Sequence, residues 1–199
     1  MSVAKNTGNT SLKQGLAGAL GIAALVAAGS ASAASKEFSD HVNVLPSGPA
    51  ITVADVEAAQ EGWGNAVVAI GAAGDNAAAV AEEAARSAYA FELGPIQFKP
   101  TLAAEQPFRP DLEGTLSYFV SGNSKYAEDK GFALQPWSNV RFDNHTVNKQ
   151  GNIAIAMGHY YFTGPDGTET KVEYTKGYVK TEDDRVLIFL QDSSLPYSP

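Results

Sequence analysis

The chain has 199 residues, a formal net charge of −8, 44% hydrophobic and 18% charged side chains, and no cysteine. An acidic chain offers no electrostatic footprint to phosphate backbones or anionic membrane surfaces, which disfavours nucleic acid as a partner. The missing thiols exclude a cysteine nucleophile, thiolate zinc sites and disulfides.

Residues 1–33 read as a cleavable signal peptide. Lys5 and Lys13 make a positive start, Gly15 to Gly29 is apolar, and Ala31-Ser32-Ala33 is a small-x-small cleavage site. The apolar run, about 15 residues, is too short to span a bilayer comfortably. The expectation is a periplasmic or secreted protein with no membrane attachment after cleavage. Residues 34–50 read as a flexible lead-in, and 51–199 as one domain large enough to bury a full core.

Thr52-Val53-Ala54-Asp55 has the form of a helix start, and Val56, Ala59, Trp63, Val67 and Ile70 continue at helical spacing to about Gly71. Gly71-Ala72-Ala73-Gly74 breaks the helix, and Asp75 or Asn76 caps a second, Ala-rich one reaching about Ala90. The pattern then changes to period two. Phe91 to Lys99 reads as extended, and Thr101 as the cap of a short helix to Glu105. Thr115 to Ser121 reads as a strand with Leu116, Tyr118 and Val120 on one side. Four longer strands are predicted over 139–147, 152–162, 171–180 and 185–193. Gly164-Pro165-Asp166-Gly167 and Glu182-Asp183-Asp184 are turns, so the last three strands form an antiparallel meander. Helices first and a meander afterwards is an α+β arrangement, with a pocket between the long helix and the sheet.

No Gly-rich phosphate loop, HExxH or GxSxG is present, and His41, His145 and His159 show no metal-ligand spacing. Tyr118 lies on an apolar face, where its hydroxyl needs either a backbone partner or a polar ligand. The apolar run Val186 to Leu190, which predicts an interior strand, ends in Gln191-Asp192-Ser193-Ser194. Alternation puts Gln191 with Ser193 on one face and Asp192 with Ser194 on the other, and leaves open which pair faces inward. Asp192 with His159 would suit a hydrolase or isomerase of another small substrate.

Several runs together resemble the iota-class carbonic anhydrases: Phe98-Lys99-Pro100-Thr101, Ser117-Tyr118-Phe119-Val120, Glu128 to Ala133, Pro136-Trp137, Val140-Arg141-Phe142, Ala156-Met157-Gly158, Lys171 to Thr175 with Gly177-Tyr178, and Ser193 to Tyr197. The resemblance implies an NTF2-like cone, similar to the association domain of calmodulin-dependent kinase II, with N-terminal helices packed in a curved antiparallel sheet. It implies reversible hydration of carbon dioxide to bicarbonate without a cofactor, although some members are described with a divalent ion such as zinc or manganese, and it implies a homodimer. By motif the catalytic hydroxyls map to Thr101, Tyr118 and Ser194, with Ser193, Asp192 and Lys99 as substrate-binding neighbours. The family usually carries two histidines where this chain has Gln191 and Asp192. That difference keeps a second expectation open, a non-catalytic binding or association module on the same fold.

Overall fold

The computed structural model describes Val42 and residues 44–199. The predicted signal peptide and His41 lie outside the described residues. Within the unit Ser39–Pro199, helix α1 spans Val53–Ala72, α2 Ala77–Ala88 and α3 Leu112–Val120. The strands are β1 Gln97–Lys99, β2 Asn139–Gln150, β3 Ile153–Thr163, β4 Glu169–Lys180 and β5 Val186–Ser194. They form one sheet in the order β1-β5-β4-β3-β2. The pairings from β2 to β5 are antiparallel, and β1 adds to β5 in parallel. The fold class is α+β, with the helices packed against the sheet. The parallel β1 departs from the expected all-antiparallel sheet.

Helix α1 starts on a capping box. The Thr52 hydroxyl accepts from the Asp55 N–H at 3.1 Å, and the Asp55 carboxylate accepts from the Thr52 N–H at 2.8 Å. Val56, Gln60, Trp63, Val67 and Ile70 then bury one face against the sheet. Ala77, Ala81 and Ala85 form the buried stripe of α2, small enough to let its neighbours approach closely. Its expected cap makes no side-chain hydrogen bond; the short 3₁₀ turn Gly74–Asn76 leads into it instead.

Two sequence expectations fail between β1 and β2. The stretch predicted as a strand over 115–121 is helix α3. The Asp111 carboxylate caps it by accepting from the Gly114 N–H at 2.8 Å, and Ser121, with φ of 57°, ends it. The predicted short helix after Thr101 is an irregular loop. Its N–H groups at Ala104, Glu105 and Gln106 are taken by the Glu128 carboxylate at 2.7–2.9 Å, so they have no need of helical partners.

Two glycines set local shape in the sheet. β2 bulges beside His145, and a Cβ on Gly158 would sit 2.1 Å from the Asp143 carbonyl oxygen. Between β4 and β5 the register shifts by one so that Phe189 is left over, and its ring fills the space above Gly177. Part of the lead-in is pinned to the domain, because the Pro46 carbonyl accepts from Asn152 Nδ2 at 2.9 Å.

The core holds one unusual group. Lys176, on the inner face of β4, is completely buried, and its Nζ has no hydrogen-bond partner among the described residues. It lies 3.5 Å from the Trp63 ring centroid and 5.1 Å from that of Phe142. Burial pushes its pKa well below the ordinary lysine value. A desolvated cation over an indole gains about 2 kcal/mol, less than the several kcal/mol of burying an ion without a counter-ion. Burial here therefore favours the neutral amine over the ammonium.

Candidate active site

A cavity of about 300 Å³ opens between α3, the 3₁₀ turn Phe132–Leu134 and the inner face of the sheet. Phe132, Trp137, Phe162 and Val172 make its apolar wall, and Thr101, Tyr118 and Asp129 bring polar groups to it. Tyr118 is clamped in place, stacked on Phe132 at 5.5 Å and edge-on to Phe98 at 5.9 Å. Burial pushes its hydroxyl up to about 12, with the nearby Asp129 charge adding to the rise and hydrogen bonds from Leu102 and Thr101 opposing it. Tyr118 therefore stays an O–H donor at neutral pH.

Behind Tyr118 lies Tyr160, fully buried and stacked on Trp63 at 5.7 Å. Burial raises its pKa, and the side chains of Ser193, Thr101 and Gln191 lie close enough to its hydroxyl to oppose the rise. Thr101, Tyr118, Tyr160 and Ser193 thus form one cluster of uncharged hydroxyls.

The floor of the cavity is set by ions. Arg109, with no exposed side-chain surface, pairs with Asp129 at 3.1 Å and Glu128 at 3.3 Å, and lies 4.0 Å over the Tyr126 ring. Asp129 also accepts from the Ser117 hydroxyl of α3 at 2.6 Å. This network fixes the helix that carries Tyr118 relative to the loop that carries Phe132.

Not all the expected site residues meet. Thr101 and Tyr118 do, and Ser193 joins them through Tyr160. Ser194, expected as the catalytic serine, is exposed on the opposite face of β5. Asp192 is on that outer face too, in an ion pair with Lys99 at 3.0 Å, so neither Asp192 nor Lys99 reaches the cavity lining. The reason is strand alternation, which turns Gln191 and Ser193 inward and Asp192 and Ser194 outward. Asp192, Ser194, His145 and His159 line a separate, open depression on the outer face of the sheet.

Tyr160, Asp129 and Arg109 are the members that sequence reasoning missed as site groups, whereas Gln191 stood with Ser193 as one of the two pairs that could face inward. Tyr160 was legible only as an inward position on a predicted strand. Among the described residues, no group of three or more His, Asp or Glu is placed to hold a metal ion.

The chain's sequence matches the family model described as metal-independent carbonic anhydrase over residues 54–195. The chain belongs to this family. A metal-independent carbonic anhydrase from Nostoc sp. is 40% identical over 154 residues, which is 74% of this chain and 75% of that protein. The crystal structure of a cyanobacterial iota-carbonic anhydrase complexed with bicarbonate superposes with a TM-score of 0.74 at 38% identity, over 79% of this chain and all of the other. A putative calcium/calmodulin-dependent kinase II association domain from Xanthomonas campestris gives a TM-score of 0.49 at 21% identity, over 78% of this chain and all of the other. The residues of the cavity from Thr101 to Leu195 fall within the stretch that the carbonic anhydrase family model matches.

Proposed function

We propose that this carbonic anhydrase family member hydrates carbon dioxide reversibly in the hydroxyl-lined cavity, without a metal. The observation that carries the reading is the meeting of Thr101 and Tyr118 in one apolar-walled space, with Ser193 brought in through Tyr160. The bicarbonate bound in the related cyanobacterial enzyme supports the substrate class. Carbon dioxide enters an apolar pocket readily. As water adds to its carbon and gives up a proton to solvent or a buffer base, negative charge develops on the two original oxygens, and neutral O–H donors fixed around them lower the barrier without reorganising. Tyr118, protonated well past neutral pH, supplies such a donor throughout the working range.

The experiment is stopped-flow hydration of carbon dioxide after exhaustive chelation. Wild type is expected to keep its activity, and Thr101→Ala and Tyr118→Phe each to lose roughly tenfold or more, the worth of one buried hydrogen bond. An uncatalysed rate under every metal condition, with bicarbonate still bound, would favour the binding-module reading that the Gln191-Asp192 pair motivates.

The leader-like sequence supports export to the periplasm or beyond, and the family resemblance supports a homodimer. Cell fractionation followed by sedimentation of the mature chain tests both. Retention in the cytoplasm, or a strictly monomeric species, would remove the corresponding statement.

A further inference from the structure

The consecutive charged residues Glu128, Asp129 and Lys130 all line the cavity, and the fold does not use them alike. Asp129 is held by Arg109 at 3.1 Å and by the Ser117 hydroxyl at 2.6 Å. Glu128 is held by Arg109 at 3.3 Å and by the backbone N–H groups of Ala104, Glu105 and Gln106. Lys130 is exposed, and its ammonium has neither an ion pair nor a hydrogen bond among the described residues. That is unusual in an acidic chain. Arg86 holds Glu82, Lys99 holds Asp192, Lys125 holds Glu113 and Arg141 holds Glu169. Lys130 follows two carboxylates in the sequence and takes neither, because the buried Arg109 has both. One guanidinium against two carboxylates leaves a negative excess at the cavity wall, and Lys130 is the group that cancels it.

We propose that Lys130 is the anion-steering residue of this cavity, a free ammonium at the rim that draws in and retains bicarbonate against the acidic charge of the chain. The inference rests on the function proposed above and deepens it, by adding one full charge to a site of neutral hydroxyls. The ammonium needs no fixed contact for this task. Its four-carbon stem is flexible, and the field of an exposed charge reaches about 8 Å at physiological ionic strength. A carboxylate partner would quench that field. Carbon dioxide has no charge and gains nothing from it on entry. Bicarbonate and the transition state are both anionic, so loss of Lys130 weakens them together. In dehydration this appears as a raised KM with kcat nearly unchanged. The equilibrium constant fixes the ratio of kcat/KM in the two directions, so hydration loses the same factor in kcat/KM.

Calorimetric titration with bicarbonate at about 0.1 M ionic strength tests the proposal. Lys130→Gln is expected to bind about threefold to fivefold more weakly, Lys130→Glu about tenfold more weakly, and Lys130→Arg as wild type does. At about 1 M, where the screening length falls to about 3 Å, the variants should converge to within about twofold. A packing defect would follow neither the sign of the charge nor the salt. Lys149→Gln removes an exposed lysine outside the cavity lining and should leave the affinity unchanged.

A second readout needs no substrate. Trp137 lines the cavity and is partly exposed, whereas Trp63 is 3% exposed, so quenching of indole fluorescence reports on the cavity. Quenching by iodide should fall in Lys130→Gln and further in Lys130→Glu, while quenching by neutral acrylamide stays the same. An active enzyme whose bicarbonate affinity ignores the charge at position 130 overturns the proposal, and so does a loss that salt does not erase. Iodide quenching that follows the charge, in a protein that neither binds bicarbonate nor turns it over, overturns the function of the cavity and leaves the steering charge standing.

Discussion

Ser193 and Ser194 are adjacent and chemically identical, yet one is 3% exposed beside Tyr160 and the other faces solvent. Removing a hydroxyl from the first strips a donor from a desolvated cluster, and from the second it removes one that water replaces. Ser193→Ala is expected to lower kcat/KM about tenfold, while Ser194→Ala stays within about twofold. Steady-state hydration kinetics on the two variants decides it, and equal effects would refute the placement. The sequence could not resolve this pair. Val186 to Leu190 is apolar at every position, so it carries no marker of which face is inside. The register shift that leaves Phe189 over also changes the parity between the start of β5 and its polar end. Tyr118, by contrast, was legible as a buried tyrosine, and the family resemblance placed Thr101 and Tyr118 together.

At the scale of elements, the active cavity depends on how α3 is tied down. The alternation of Leu116, Tyr118 and Val120 imitates a strand. The stronger signals were Asp111, a cap three residues ahead of Gly114, and Ser117, a polar residue in an apolar run that proves to hold Asp129. The strands after residue 138 were legible from period-two patterning or, over 186–190, from a continuous apolar run, and from the turn residues that bound them. Helix α3 was not, because a nine-residue helix gives barely two and a half turns of pattern.

Its anchor is the buried Arg109–Asp129 pair. Breaking such a pair from one side leaves the buried guanidinium with Glu128 alone, at 3.3 Å, so Asp129→Ala is expected to cost about 3 kcal/mol in urea unfolding. A variant that unfolds at the wild-type midpoint would show that the anchor lies elsewhere. Glu128 adds an acid sensitivity. Three backbone N–H donors, with Arg109 nearby, hold its carboxyl down at about 2 against an ordinary value of 4.5. Its contribution is complete above the ordinary value and is lost as pH falls through about 2, so the loop after Thr101 loosens only in strong acid.

For the whole molecule, charge and site point in opposite directions. The protein is acidic overall, with an isoelectric point near 4.8, and its proposed product is an anion. The fold meets this with neutral donors in the cavity and with a lysine, Lys176, whose charge is disfavoured by complete burial. Its amine has a pKa well below 10.5 when folded and an ordinary one when unfolded, so between those two values the unfolded chain binds one more proton. Stability therefore climbs with pH across that interval, at about 1.4 kcal/mol per unit. The climb ends near the ordinary tyrosine value of 10.0, where the unfolded chain begins to lose protons that buried Tyr89, Tyr160 and Tyr178 keep. Melting temperatures recorded as pH rises toward 10 should climb in wild type and flatten in Lys176→Met. A flat wild-type curve would show that the amine is charged where it lies.

Hydrating carbon dioxide liberates acid, and acid is what this lysine resists least. An enzyme working faster than its surroundings can buffer would erode its own fold, whereas one running in reverse would reinforce it.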